Sequence, residues 1–375
     1  MSIFEYVDLV LFAFSLFTVG YMLIFAIASL FNRGDKYPES RVKHRFAVVF
    51  PAYKDDEYIL DSVASFKQQD YPIDCYEIIV VADHLREETI DELEEQEVTV
   101  MTVNFKEGSK MKSVKEATRR LPADEYDILL VMNADNVTDP QLLNELNNTY
   151  ASGSNAIQTH RVRRERPDTV TMLNALSDEI NNSIFRTGHV NFGLSASLNG
   201  SGMAFDFKWL KDVYEEIDDQ SDEKSIEALL LRDRTYIEYL NHAVIYATRK
   251  ESTKRYYAQR TNWIKTHYSS LVHNIFRLPG AIFSANFDFA DRILQWICVP
   301  RTLLLIIMCL WSCVCVLVDW IEVFKWLGLF LVLLFTFALA IPNYLVDKRF
   351  DKAMRGIPLL GIGMFLAILG IRKRK

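Results

Sequence analysis

Apolar residues are gathered at the two ends of the chain, and the polar middle is patterned differently. Residues 9–31 carry no charged side chain. As a helix that run reaches about 34 Å, enough to cross the hydrocarbon core of a bilayer. Glu5 and Asp8 precede it and no basic residue does, the opposite of the basic start of a cleaved signal peptide, so a retained anchor is expected. Towards the other end, residues 299–318 form a second spanning run with Arg301 at its start. Residues 323–346 form a third, with Lys325 near one end and Pro342 near the other.

The charges flanking these runs predict an orientation. Arg33, Lys36, Arg41, Lys43 and Arg45 follow the first run, which puts the N-terminus outside and the polar middle in the cytoplasm. Asp319 and Glu322 form an acidic outer turn, and Lys348, Arg349, Lys352 and Arg355 a basic inner one. The last apolar run, 357–371, is short and punctuated by Gly and Pro. A crossing would strand Arg372, Lys373, Arg374 and Lys375 outside, so an interfacial or re-entrant segment is expected. Phe283, Phe287, Phe289 and Trp296 surround Asp288, Asp291 and Arg292, a mix that suits a helix in the headgroup layer or one buried in a core.

Between 46 and about 247, short β-branched runs alternate with helical stretches, the pattern of a mainly parallel sheet covered by helices. Strands are predicted at 46–50 (stopped by Pro51), 77–81, 98–103 and 128–132, with helices over 58–68 and 109–120 between them. Polar residues collect just after the strand ends, at the edge where open α/β sheets bind ligands. Neither GxGxxG nor GxxxxGK[ST] occurs, so phosphates must be held in another way. Asp135, in the run NADN, is one means, since a strand-end carboxylate can ligate Mg2+ or Mn2+. It is equally a turn or cap residue ahead of Asp139 and Pro140.

Composition removes some classes. A net charge of −7 gives no basic face for nucleic acid. The cysteines, Cys75, Cys298, Cys309, Cys313 and Cys315, form no CxxC pair, and at least four of them read as small apolar filler. His160 and His189 read as structural histidines, with contact to a sugar the alternative. Arg161, Arg163, Arg164 and Arg186 stay unassigned between diphosphate, anionic lipid and plain surface.

Several short motifs recur in a specific order: PAYKDD at 51–56, the strand-end Asp83, SKMKSVKEA at 109–117, NADN at 133–136, NGSGMAF at 199–205, DEKSIE at 222–227 and QRTNW at 259–263. On these, the chain from 46 to about 263 resembles the family 2 glycosyltransferases, which have a GT-A fold. Within them it is similar to the membrane-bound members related to cellulose and hyaluronan synthases. The resemblance implies an α/β GT-A nucleotide-sugar transferase fold, a mainly parallel mixed sheet with flanking helices, plus transmembrane helices. The chain then divides into an anchor at 1–32, a cytosolic catalytic domain at 46–270 and a C-terminal membrane region at 280–375.

The resemblance also implies roles. Pro51, Ala52, Tyr53 and Asp55 line the uridine and ribose pocket, Asp83 contacts the base, and Lys110 sits near the nucleotide, with Lys112 the competing register. Asn133 and Asp135 occupy the two acidic positions of the DxD motif, and Asp135 binds the metal, Mg2+ or Mn2+. Asn133 removes one negative charge from that pair. Glu223, or else Asp222, is the catalytic base of an inverting transfer. NGSGMAF has small residues where backbone approaches a ligand, or is simply a tight turn before a strand. Gln259, Arg260 and Trp263 lie beside the acceptor and diphosphate. Asn262 stands where processive synthases carry Arg, which argues against long-chain polymerisation. The implied partners are a nucleotide-diphosphate sugar (a UDP-sugar first), a lipid-linked or polysaccharide acceptor and the lipid bilayer, with no nucleic acid. The expected location is the cytoplasmic membrane, multi-pass. A catalytically weakened GT-A protein acting as a binding or scaffold subunit is the alternative, motivated by Asn133, Glu223 and Asn262 together.

Overall fold

A computed structural model describes residues 2–31, 34, 37–106, 108–164, 168–216, 222–250, 252–347 and 350. Arg33, Lys36, Asp218, Asp219, Lys348, Arg349, Lys352 and Arg355 of the basic turn and the apolar run at 357–371 lie outside the described residues. The chain clusters into two compact units. One comprises Arg33–Glu165 and Ser195–Arg249, the other Met1–Asn32, Arg166–Leu194 and Lys250–Lys375.

The first unit is an eight-stranded mixed sheet in the order β3-β2-β1-β4-β7-β6-β8-β5. The strands are β1 (Phe46–Tyr53), β2 (Tyr76–Asp83), β3 (Thr99–Val103), β4 (Ile128–Val131), β5 (Asn136–Thr138), β6 (Ala156–Arg163), β7 (Met203–Asp206) and β8 (Ile237–Ala247). β1 pairs in parallel with β2 and β4, and β2 with β3. β7 lies antiparallel between β4 and β6, and β5 closes the sheet antiparallel to β8. All of β1 except Tyr53 is buried, as expected of a strand covered on both faces. The Ile59–Phe66 helix supplies part of that cover through Ile59, Ser62, Val63 and Phe66, spaced as one helical face. Phe66 meets Phe50 edge to face, with ring centroids 5.7 Å apart.

β1 continues through Pro51, where the sequence predicts a stop. The Val49 carbonyl accepts the Met132 N–H at 2.9 Å on the β4 side. Two residues on, Pro51 faces the same side, beyond Val131 where β4 ends, so its missing N–H leaves no ladder bond unmade.

The second unit is helical. The Ile3–Ala28, Arg301–Val318 and Val323–Ala340 helices are long and apolar enough to cross a membrane. Asp8, 3% exposed, ties the first to the other two. Its carboxylate accepts from the indole N–H groups of Trp311 (2.8 Å) and Trp326 (2.9 Å) and pairs with Lys325. The Thr169–Asn182 helix runs through a π-helical turn, Ser183–Gly188, into His189–Phe192. A Cβ at Gly188 would fall 2.2 Å from the Phe25 carbonyl oxygen, so glycine is what lets these helices touch. His189 is fully buried, stacked 3.6 Å from the Phe25 ring and bonded to the Ile184 carbonyl, Tyr21 and Gln295. In the Phe287–Ile297 helix, Phe289, Asp291, Arg292 and Trp296 are buried, while Phe287 and the preceding Phe283 are exposed.

Candidate functional site

The carboxyl ends of β2, β1 and β4, three adjacent parallel strands, each carry an acid within a few residues. Asp83 is the last residue of β2 and fully buried. Its Oδ1 accepts the Phe105 N–H at 3.2 Å and lies 2.6 Å from His84 Nδ1. The other oxygen, Oδ2, is buried with no hydrogen-bond partner among the described residues. Beside it, Tyr53 and His84 meet edge to face at 5.6 Å. A Cβ on Gly108 would stand 2.5 Å from the Tyr53 ring, so that ring lies against bare backbone. The aromatic walls and the half-satisfied acid make a place suited to a flat heterocycle.

Asp55 and Asp135 share one cation. Arg249, just past β8, reaches Asp55 Oδ1 with Nη2 at 2.6 Å and Asp135 Oδ2 with Nε at 3.5 Å. Its guanidinium also stacks over Tyr58, 4.5 Å from the ring centroid. Burial works against the Arg249 charge, but Asp135 and Asp55 outweigh it and hold its pKa above the ordinary arginine value. Asp135 is 4% exposed and its backbone carbonyl accepts the Thr248 N–H at 3.0 Å. The NADN turn closes through Asn136, whose Oδ1 accepts the Asn133 N–H at 2.9 Å.

A second cluster forms around Lys110, the first residue of the Lys110–Arg120 helix. Its Nζ lies 2.7 Å from Glu223 Oε1 and donates to the Gly200 carbonyl. Gly200 has φ +82°, and a Cβ there would run into both Lys110 Nζ and Glu223 Oε1. Glu223 opens the Glu223–Arg232 helix, and Asp222 is its N-cap, accepting from the Ser225 N–H at 3.1 Å. The structure thereby separates the two acids: Asp222 is occupied by capping, and Glu223 faces Lys110. Burial pushes the Glu223 carboxyl up, but the Lys110 ammonium, with a backbone hydrogen bond and Lys224 beside it, outweighs burial and holds the pKa below the ordinary glutamate value. The Tyr214 hydroxyl is buried without a hydrogen-bond partner among the described residues, and burial, with the Glu223 charge added, raises its pKa. Lys112 forms no ion pair among the described residues.

The NGSG loop is latched from below. Gln158 Oε1 accepts the Asn199 N–H at 2.8 Å, and its Nε2 donates to the Ser201 carbonyl at 2.9 Å. Asn199 Oδ1 is buried and has no hydrogen-bond partner among the described residues. NGSGMAF is thus both a glycine-rich approach and a turn into β7.

Gln259, Arg260 and Trp263 lie on the Thr253–Asn274 helix of the other unit. Gln259 is exposed, Arg260 donates to Asn174 Oδ1 at 3.1 Å, and Trp263 stacks on His267 with centroids 5.0 Å apart. Sequence reasoning missed Arg249, Tyr214 and His84. His84 follows a predicted strand-end acid and carries φ +57°, a signal the residue type alone does not give. Arg249 stands in no motif.

A family model described as "glycosyltransferase like family 2" matches residues 44–266. Among solved structures, the chain is similar to the mannosyltransferase PcManGT from Pyrobaculum calidifontis, solved in complex with GDP-Man and Mn2+. The TM-score is 0.58 at 16% identity, over 98% of this chain and 99% of that one. It also matches S. aureus TarS 1-349 (TM-score 0.46, 15% identity, 86% of this chain and 90% of that one). A third match is glucosyl-3-phosphoglycerate synthase from Mycobacterium tuberculosis (0.39, 17%, 56% and 73%). No curated protein matches by sequence. At 16% identity the first likeness is one of fold alone.

Proposed function

We propose, from the premise that the chain belongs to the family 2-like glycosyltransferases, that it is a membrane-bound inverting transferase. In this reading it moves a sugar from a nucleotide-diphosphate sugar to a lipid-linked or polysaccharide acceptor at the cytoplasmic face. The GT-A sheet and the class of chemistry, glycosyl transfer, come with the family. The finer reading rests above all on one observation: Asp83, Asp55 and Asp135 stand together at the carboxyl edge of β2, β1 and β4. That edge is where an open α/β sheet receives a nucleotide.

In this reading the base of the nucleotide sits between Tyr53 and His84, and one of its N–H groups donates to the unpartnered Asp83 Oδ2. Pro51, Ala52 and Asp55 line the ribose, and Asn133 and Asp135 face the diphosphate. No group of three or more His, Cys, Asp or Glu that could hold a metal ion occurs among the described residues. The donor set, Asp135 with the Asn133 amide, fits a divalent cation only when diphosphate oxygens complete the coordination. The edge is already organised around positive charge, since Asp55 and Asp135 both face the Arg249 guanidinium. When bound, Mg2+ or Mn2+ would neutralise the leaving diphosphate.

Glu223 takes the proton of the acceptor hydroxyl as that oxygen attacks the anomeric carbon from the side opposite the diphosphate. Paired with Lys110, Glu223 is ionised but a weak base. Drawing Lys110 towards the diphosphate would raise the basicity of Glu223 when the donor is in place. Asp222 keeps the helix start in position. In this reading the three helices, long and apolar enough to cross a membrane, serve as a multi-pass anchor, and the acidic and basic flanks support a cytoplasmic sheet. By the family resemblance, Gln259, Arg260 and Trp263 would serve the acceptor.

The test is nucleotide release by the purified protein in detergent, given UDP- and GDP-sugars, Mn2+ and a bacterial lipid extract. Turnover that vanishes in Asp135→Ala and Glu223→Gln supports the transferase. Nucleotide binding without turnover on any donor supports the scaffold reading instead, which the internal neutralisation of Asp55, Asp135 and Glu223 favours.

A further inference from the structure

The helical unit contains a second group of chemistry-bearing side chains. Along the Thr169–Asn182 helix, Asn174, Ser177, Asp178 and Asn181 recur at the spacing of one helical face. Two arginines lie on that face. Arg301 Nη2 donates to Asn181 Oδ1 at 2.8 Å, to Ser177 Oγ at 3.1 Å and to the Ser177 carbonyl at 3.3 Å. Arg260 donates to Asn174 Oδ1 at 3.1 Å, with its guanidinium carbon 5.4 Å from the Tyr256 ring centroid. These oxygens are all neutral, and neither arginine has a carboxylate within ion-pair distance among the described residues. Besides burial, the largest electrostatic influence on Arg301 is Arg260, followed by Asp178, Tyr256 and Arg186.

Two groups here are left incomplete, and both are donors. Arg301 Nη1 is buried with no hydrogen-bond partner among the described residues, and so is Asn174 Nδ2, on a side chain only 3% exposed. Arg301 also opens an 18-residue apolar helix behind Pro300, with no side chain capping its first N–H groups. An uncapped helix start carries partial positive charge. Like-charged arginines, unpartnered N–H donors and a bare helix N-terminus all call for the same complement, an oxyanion with several acceptor oxygens. The helix that begins there exposes apolar side chains further along, among them Leu310, Val314 and Leu317.

We propose that Arg301, Arg260 and Asn174 form a binding site for the phosphate or diphosphate group of a lipid, with the lipid chain lying along the Arg301–Val318 helix. This rests on the transferase reading and deepens it, because it makes the acceptor a phosphorylated lipid. The shared chemistry, a phosphate oxyanion, is also that of free diphosphate, and the attached apolar chain is what distinguishes the two sources.

The experiment titrates the full chain in detergent micelles with farnesyl diphosphate, farnesol and inorganic diphosphate by calorimetry. Farnesyl diphosphate is expected to bind, inorganic diphosphate to displace it only weakly, and farnesol not to bind. Arg301→Gln and Asn174→Leu should each weaken farnesyl diphosphate about tenfold or more, the worth of a charge-assisted hydrogen bond. Arg301→Lys should recover part of the loss. Farnesol binding as tightly as its diphosphate, or unchanged affinity in both variants, overturns the site. Inorganic diphosphate binding as tightly as the farnesyl ester overturns the lipid assignment. The displacement measurement needs only the wild type, so a variant that fails to fold does not remove the test. Nucleotide release by the wild type, given donors, Mn2+ and a bacterial lipid extract, scores the transferase reading separately. Turnover without binding at Arg301 removes this inference alone, and binding without turnover removes that reading alone.

Discussion

Asp8 and Asp135 are both carboxylates nearly cut off from solvent beside a basic side chain, yet their surroundings differ. Asp8 is saturated: two indole N–H groups and the Lys325 ammonium take its lone pairs, so nothing remains for a ligand. Asp135 has only the edge of a guanidinium at 3.5 Å, which it shares with Asp55. Burying a charge is costly unless its hydrogen bonds are made. Where the chain itself makes them, the acid holds helices together. Where it does not, as at Asp83 Oδ2, or does so only at the 3.5 Å of the Asp135–Arg249 pair, the acid is open to chemistry from outside.

This contrast can be broken in several ways. Asp135→Ala should lower metal-stimulated turnover about a thousandfold, the several kcal/mol a divalent ion contributes at a leaving diphosphate, with little change in the thermal unfolding midpoint. A stability loss at that position with intact turnover would make Asp135 another Asp8. Asp8→Ala should do the reverse. It should cost about 3 kcal/mol by stranding two indole N–H groups and leaving Lys325 only Glu322, read as denaturant sensitivity in detergent, while turnover per folded molecule is kept.

Lys110→Met sharpens the comparison at a third acid. Lys110 holds the Glu223 pKa below its ordinary value, so its removal lets that pKa rise. The acid limb of the pH–rate profile should then move to higher pH, because the base protonates sooner as pH falls. An acid limb that stays in place would detach Glu223 from proton transfer. The smallest effect is expected of Lys112→Ala, within about twofold in rate and stability, as for a surface change away from any network. A large loss there would restore the competing register.

Much of the sheet was legible because strands are a local matter. β-branched runs at 46–50, 77–81, 98–103 and 128–132 each fall inside or within a residue or two of β1 to β4. β5 and β7 are three and four residues long, too short for a period to register. Pro51 misled because the chain does not show that β4 stops short of it. Among site residues, positions at strand ends could be read, and Asp83, Asp55 and Asp135 are found there. The division of labour between Asp222 and Glu223 could not, since both sit in one acidic run and only the cap geometry separates them.

Run length, flanking charge and strand pattern, all properties of neighbours in the chain, determined the three apolar helices, the α/β order and the edge where acids collect. Tertiary structure alone decided which charges meet. Arg249 reaches Asp55 across 194 positions and Lys325 reaches Asp8 across 317, and no local period encodes such a pairing. Only packing shows whether a buried carboxylate is filled by its own chain or left with an open oxygen, and that difference separates a strut from a site.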